Sequence, residues 1–179
     1  DQFAASFGGF NNFKFYDNKV LTKKLNITKE NSKILNNNVY IFWSGITRSA
    51  DKILFDQNRR CKNNYRYLNL IRDFSNKSCK LFNTDNKINI NKIGKNLDAS
   101  WQSKKLLSKL ISNNIIDKAY NVAKKNGAIG GKILGAGGGG FLLLVIEKKN
   151  LKKVNNELNK INFKNINFNF ENKGTIVKQ

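Results

Sequence analysis

The stretch with the most obvious chemical potential is a run of glycines, Gly130-Gly131-Lys132-Ile133-Leu134-Gly135-Ala136-Gly137-Gly138-Gly139-Gly140-Phe141. Successive glycines adopt positive φ at little steric cost and turn several backbone N–H groups toward one point, which makes a nest for an anion. They also let a phosphate or a second backbone approach closely. Gly135, Gly137, Gly138, Gly139 and Gly140 are therefore candidate contacts for a phosphate. The run is not a Walker loop, because no Gly-Lys-Ser/Thr follows and the glycines lead into a strand instead of a helix. The alternative is a tight helix-to-strand crossing beneath a neighbouring element. So many glycines in so short a run carry more backbone entropy than a simple turn requires.

The residues that are missing narrow the chemistry further. The sequence has no His, which removes serine–histidine and cysteine–histidine mechanisms together. Acid–base work falls to Asp, Glu, Lys, Tyr or Cys. Cys61 and Cys79 are too far apart for a CxxC pair, so no zinc framework is expected and a reduced compartment fits. The chain also has no Met, so Asp1 is expected to be a processed start or an internal cut. The longest apolar run, Phe141 to Ile146, is too short to span a bilayer, and no leader of the secretory kind opens the sequence. A cytoplasmic protein without a membrane partner is expected.

A formal net charge of +21 raises the question of a polyanion partner. The lysines are scattered, as in Lys23-Lys24, Lys104-Lys105, Lys124-Lys125 and Lys148-Lys149, and do not gather in one basic arm. Lys, Asn and Ile crowd the whole sequence while Pro is absent, which is the composition that A/T-rich codons produce. Specific binding of nucleic acid is not expected on this pattern, although a basic nucleic-acid-binding module stays the alternative function.

The elements that must position any site follow from periodicity. Asp1 to Phe7 has helical composition and stops at Gly8-Gly9; Phe10 to Tyr16 and Val20 to Ile27 then alternate around Asp17-Asn18 as a β-hairpin. The polar stretch 28–38 is the best candidate for a domain boundary. Val39 to Trp43 is a strand, followed by a turn in which Thr47 or Ser49 caps a helix from Ala50. Ser75 to Gly94 is a less regular helix–loop stretch, and Leu97 to Leu110 is amphipathic, with Leu97, Trp101, Leu106 and Leu110 on its buried side. Ile115 to Lys125 is a helix closed by Asn126-Gly127, Phe141 to Glu147 a strand, and Leu151 to Ile161 a helix. Phe163 to Phe170 and Gly174 to Val177 are expected as strands. The fold class is α+β: an antiparallel sheet with helices packed on one face, preceded by a helix and hairpin.

Several of these stretches resemble a family. Gly130 to Leu144 is similar to the third conserved motif of the galactokinase, homoserine kinase, mevalonate kinase and phosphomevalonate kinase (GHMP) superfamily. Asp1 to Gly9, Trp43 to Ala50 and Ser100 to Lys105 resemble heptose 7-phosphate kinases within it, and Gly127-Ala128-Ile129 matches one of that group's later helices. The resemblance runs from Asp1 to the end of the sequence. It implies a transferase that moves the γ-phosphoryl of ATP to a hydroxyl of a sugar or sugar phosphate, at the anomeric position of heptose 7-phosphate. It also implies a division of the chain: 1–35 as the tail end of an N-terminal kinase domain, and 36–179 as the C-terminal domain.

By position in that family, Asp1 is the base that deprotonates the acceptor hydroxyl; its alternative is a helix N-terminal acid held by the dipole. The resemblance sets Gly135 to Gly140 against the nucleotide's phosphate loop. Arg48, beside Thr47, can fork onto a sugar phosphate or form a surface ion pair, and Lys104 can do likewise or lie on an exposed helix face. Trp101 is assigned to the core. ATP and Mg2+ are the implied cofactors, with the Mg2+ ligands and the Gly/Ser-rich phosphate loop expected upstream of Asp1. On that reading residues 1–179 alone are expected to lack turnover. A catalytically silent, regulatory relative is a third possibility, and the oligomeric state is left open.

Overall fold

A computed structural model describes residues 2–84 and 86–176. The chain begins with helix α1 (Gln2–Phe7), which stops where Gly8 and Gly9 take positive φ, and continues into an antiparallel hairpin of β1 (Asn11–Tyr16) and β2 (Lys19–Lys24). Phe3, Phe7, Phe13 and Phe15 form one aromatic group over this unit, with Phe3 and Phe15 edge to face at 5.2 Å. The segment after Ile166 returns to this end, and the N–H of Thr175 donates to the Ser6 carbonyl at 3.0 Å. No strand forms over Gly174–Ile176, and Val177 lies outside the described residues.

The polar stretch after the hairpin is a helix, α2 (Lys29–Asn36). Thr28 caps it by accepting the Asn31 N–H at 3.1 Å. Asn31 is itself buried, donating to the Asn86 carbonyl and accepting from the Ile88 N–H, each at 3.0 Å. Polar composition here therefore serves an internal fastening, and Leu35 is the one large apolar side chain the helix buries.

A second sheet holds the strands in the order β4 (Ala128–Ile133), β5 (Phe141–Ile146), β3 (Val39–Trp43), β6 (Lys164–Ile166), antiparallel throughout. Phe42, Leu142, Leu144 and Ile146 are fully buried on one face. Packed with them are Ile53 of α3 (Ala50–Arg59), Trp101 of α5 (Ile90–Lys105), Ile116, Ala119 and Ala123 of α6 (Asn114–Lys125), and Val154 and Leu158 of α7 (Lys148–Asn159). A smaller cluster gathers Leu35, Val39, Ile88 and Ile93, and α4 (Tyr65–Phe82) packs along α5. The architecture is the expected α+β sheet with packed helices.

Three local expectations are corrected. Leu106 and Leu110 are exposed, while Leu107 and Ile111 are buried, because α5 ends at Lys105 and a tight turn shifts the phase: the N–H of Leu106 bonds the Ser103 carbonyl, and that of Leu107 the Lys104 carbonyl. Ala128-Ile129 opens strand β4 and is not helical. The strand expected over 163–170 is confined to Lys164–Ile166, where β3 supplies partners.

Strand β4 holds its place against α5 through the absence of side chains. A Cβ on Gly130 would collide with the Gly94 carbonyl and lie 2.9 Å from the Asp98 Cβ; one on Gly94 would lie 2.6 Å from the Ile129 side chain. The Tyr120 hydroxyl ties the same place together, accepting from the Gly131 N–H at 3.1 Å and donating to Asp98 at 2.6 Å. Asp98 is half-buried. Its burial opposes ionisation, and the hydrogen bonds from Tyr120, Lys124 and Gln102 outweigh that and hold its pKa below the usual value. Gly130→Ala is expected to destabilise the chain by about 1–3 kcal/mol through overpacking at backbone the helix cannot yield. A urea midpoint unchanged to within about 0.5 kcal/mol would contradict that close approach.

Candidate phosphate-binding site

The glycine loop joins β4 to β5, so it turns one strand into its antiparallel neighbour at the end of the sheet. Gly135, Gly137, Gly138 and Gly140 all have positive φ. The loop does not float. The Gly138 N–H donates to the Ile111 carbonyl at 2.7 Å and the Gly140 N–H to the Ile46 carbonyl at 2.9 Å, while the Gly140 carbonyl accepts from Ser44 at 3.0 Å. Cβ atoms at Gly137, Gly138 and Gly139 would come within 2.7 Å of Ile111, Ile53 and Ile46 respectively. Three of the glycines are thus required by close crossing inside the domain. Gly140 has nothing within 4 Å of the Cβ position and faces open space.

Four consecutive carbonyls of the loop each receive a donor from a different element. Lys104, in the last turn of α5, bonds the Gly135 carbonyl at 2.5 Å, and Gln57 of α3 reaches Ala136 at 3.5 Å. Arg48, in the turn between β3 and α3, donates its Nε to the Gly137 carbonyl at 2.5 Å. Asn113, which caps α6, donates to the Gly138 carbonyl at 3.3 Å. With the carbonyls pulled toward these donors and two N–H groups used internally, no acceptor for the N–H groups of Gly137 and Gly139 is found among the described residues. Gly137 and Gly139 are both buried.

The charged side chains bonded to the loop are both cations. Lys104 is pushed down to about 8, first by burial and then by the nearby cations Lys132 and Arg48. Burial also lowers Lys132, on β4. Three carboxylates of the surrounding elements are committed elsewhere, Asp98 to Tyr120 and Lys124, Asp117 to Lys105 and Ser112, and Asp56 to Arg60 and Ser108, while Asp51 in the first turn of α3 pairs with neither Arg48 nor Lys104.

Of the residues selected from the sequence, Arg48, Lys104 and the glycines come together here. Thr47 is exposed in the same turn, and neither it nor Ser49 makes a capping hydrogen bond to α3. Asp1 lies outside the described residues. Lys132 was not selected, although it sits inside the glycine motif. Its signal is register: once Ala128–Ile133 is a strand, Gly131 and Ile133 pair with the core residues Leu144 and Leu142, and Lys132 faces the other way. The described residues offer Mg2+ no cluster of carboxylates, and a ring of cations does not fit a divalent metal.

Residues 83–165 match the family described as GHMP kinases C terminal. The chain is 30% identical over 149 residues to the D-glycero-alpha-D-manno-heptose 7-phosphate kinase of Campylobacter jejuni, a match that takes in 82% of this chain and 43% of that protein. Its fold is similar to that of a D-glycero-D-manno-heptose 1-phosphate kinase from B. thetaiotaomicron, with a TM-score of 0.68 and 21% identity over 99% of this chain and 49% of that one. A mevalonate kinase of L. major, with (R)-mevalonate bound, superposes with a TM-score of 0.70 at 15% identity, covering 88% of this chain and 47% of the other. The chain therefore spans less than half the length of these relatives.

The packing of the loop changes what a bulky substitution would do. Gly138→Val is expected to lower stability by about 2 kcal/mol or more, because its side chain meets Ile53 and the Leu110 carbonyl and its φ is left-handed. Gly140→Ala adds only the left-handed strain, about 1–2 kcal/mol. Thermal denaturation of the two variants checks the order; Gly138→Val melting with or above Gly140→Ala would contradict the packing described.

Proposed function

We propose, for a chain that carries a GHMP kinase C-terminal domain, that it forms part of an ATP-dependent kinase acting on a hydroxyl of a sugar phosphate, heptose 7-phosphate at its anomeric position. The observation that carries this reading is the convergence of Arg48 and Lys104, from two separate elements, on a glycine loop with no carboxylate partner for either among the described residues. The identity to a heptose 7-phosphate kinase supports the choice of sugar.

In this reading the acceptor oxygen bonds to the γ-phosphorus while the bond from that phosphorus to the β–γ bridging oxygen breaks. ADP leaves with the electron pair, and the hydroxyl proton passes to the Asp1 carboxylate. A general base contributes about 10²–10⁴-fold to such a transfer, and most of the remaining catalysis is positioning and charge neutralisation. Arg48 and Lys104 hold the substrate's own phosphate, which fixes the sugar. Gly140, open to its surroundings, faces the nucleotide's phosphates. Mg2+ neutralises the nucleotide's charge in this class of reaction, and residues other than those described would hold it.

In the complete gene product containing these residues, Asp1→Asn is expected to lower kcat by about 100-fold or more and to leave ATP binding close to wild type. Arg48→Ala is expected mainly to raise KM for the sugar phosphate, by about tenfold or more. Residues 1–179 assayed alone are expected to show no ATP-dependent turnover, since they span 43% of the curated relative. Steady-state kinetics with ATP and heptose 7-phosphate test all three. A kcat for Asp1→Asn within a few-fold of wild type would remove Asp1 as the base.

A further inference from the structure

Lys132 is a half-buried ammonium for which the described residues supply neither a hydrogen bond nor an ion pair. Leaving such a group without a counter-charge is costly, and burial holds its pKa below the usual lysine value. Arg48 and Lys104 do not relieve it. The Nε of Arg48 is used on Gly137, which leaves the terminal nitrogens of its fork uncommitted, and Lys104 Nζ has spent one of its three protons on Gly135. Arg48 and Lys104 meet at loop carbonyls two residues apart, and Lys132, on β4 just before the loop, is a neighbouring cation of Lys104, so the three bring spare donors to one end of the sheet. A single anionic group entering there offsets the desolvation of Lys104 and Lys132 together and can take up the free fork of the exposed Arg48.

We propose that Lys132 completes, with Arg48 and Lys104, a binding site for the phosphate dianion of a sugar phosphate ester. The identity of the ester rests on the kinase reading above; the anion site does not. A dianion bearing three acceptor oxygens matches three cationic donors in number, and Arg48 supplies the planar fork suited to two of those oxygens. Lys104, whose neighbours are Lys132 on β4 and Arg48 in the β3–α3 turn, gains a proton when the anion arrives. With its free pKa at about 8, roughly half of it is neutral at pH 8, where a phosphate ester with a second pKa of about 6 is already dianionic. Binding near pH 8 thus takes up protons, and the protein is what receives them.

The test is isothermal titration calorimetry of the 179-residue chain with ribose 5-phosphate at pH 8, in two buffers of different ionisation enthalpy. Lys132→Gln is expected to weaken binding about tenfold, while Lys132→Arg stays within about threefold and shows that charge, not loss of fold, is responsible. Lys152→Gln, an exposed lysine on α7, controls for the overall basicity and leaves the affinity unchanged. Lys104→Arg is expected to bind but to reduce the proton uptake. Wild-type affinity in Lys132→Gln, or equal losses in Lys132→Gln and Lys152→Gln, would overturn the site. Tripolyphosphate binding at least tenfold tighter than ribose 5-phosphate, and weakened in Lys132→Gln, would overturn the ester in favour of a nucleotide's phosphate chain. Absence of ATP-dependent turnover in the complete gene product would sink the kinase reading and leave this titration standing.

Discussion

A loop of backbone pressed against other backbone sets the terms for the functional end of this molecule. At Gly137–Gly139 the chain passes so close to Ile46 before α3, to Ile53 of α3 and to the segment before α6 that side chains are excluded, and hydrogen bonds to Ile46, Ser44 and Ile111 hold the loop there. The crossing locks the turn carrying Arg48 to the end of the sheet, and the C-terminal end of α5 brings Lys104 to the same loop. If the loop moved outward by the width of a methyl group, the carbonyls that orient both cations would move with it. Packing and electrostatics at this site are therefore a single constraint, expressed once through missing Cβ atoms and once through carbonyl acceptors.

The charge of the chain and the charge of the site are different matters. A net charge of +21 spread over scattered lysines is a property of composition, and most of those side chains remain solvated. Lys104 and Lys132 differ because they are partly withdrawn from water. Burial disfavours the charged form of both, and the nearby cations Lys132 and Arg48 add to it for Lys104. A fold tolerates such a cluster when something outside the protein supplies the opposite charge, which is how perturbed groups come to mark functional sites.

The sequence was legible where side chains carry the structure. Val39–Trp43 and Phe141–Ile146 stand out as strands from their β-branched, aromatic and leucine-rich composition, and α6 and α7 from apolar spacing. It was opaque where structure depends on side chains being absent or polar. Strand β4 contains Gly130 and Gly131, residues of low strand propensity that are there because α5 packs directly on Gly130 and a Cβ on Gly131 would strike Leu143 and Leu144 of β5. Helix α2 is polar because its inward residue, Asn31, fastens the loop at Asn86–Ile88 through hydrogen bonds. The same blindness hid Lys132, since its orientation depends on a strand that composition does not announce. The glycine motif itself was found, but the packing role of Gly137–Gly139 emerges only once Ile46, Ile53 and Ile111 are seen beside it.

The most direct test is a crystal structure of the complete gene product with a sugar phosphate and a non-hydrolysable ATP analogue bound together. The account predicts the sugar's phosphate oxygens about 3 Å from the Arg48 fork and from the Nζ atoms of Lys104 and Lys132, with the nucleotide's terminal phosphate on the open side of Gly140. A sugar phosphate held elsewhere, with these three cations still facing solvent, would contradict it.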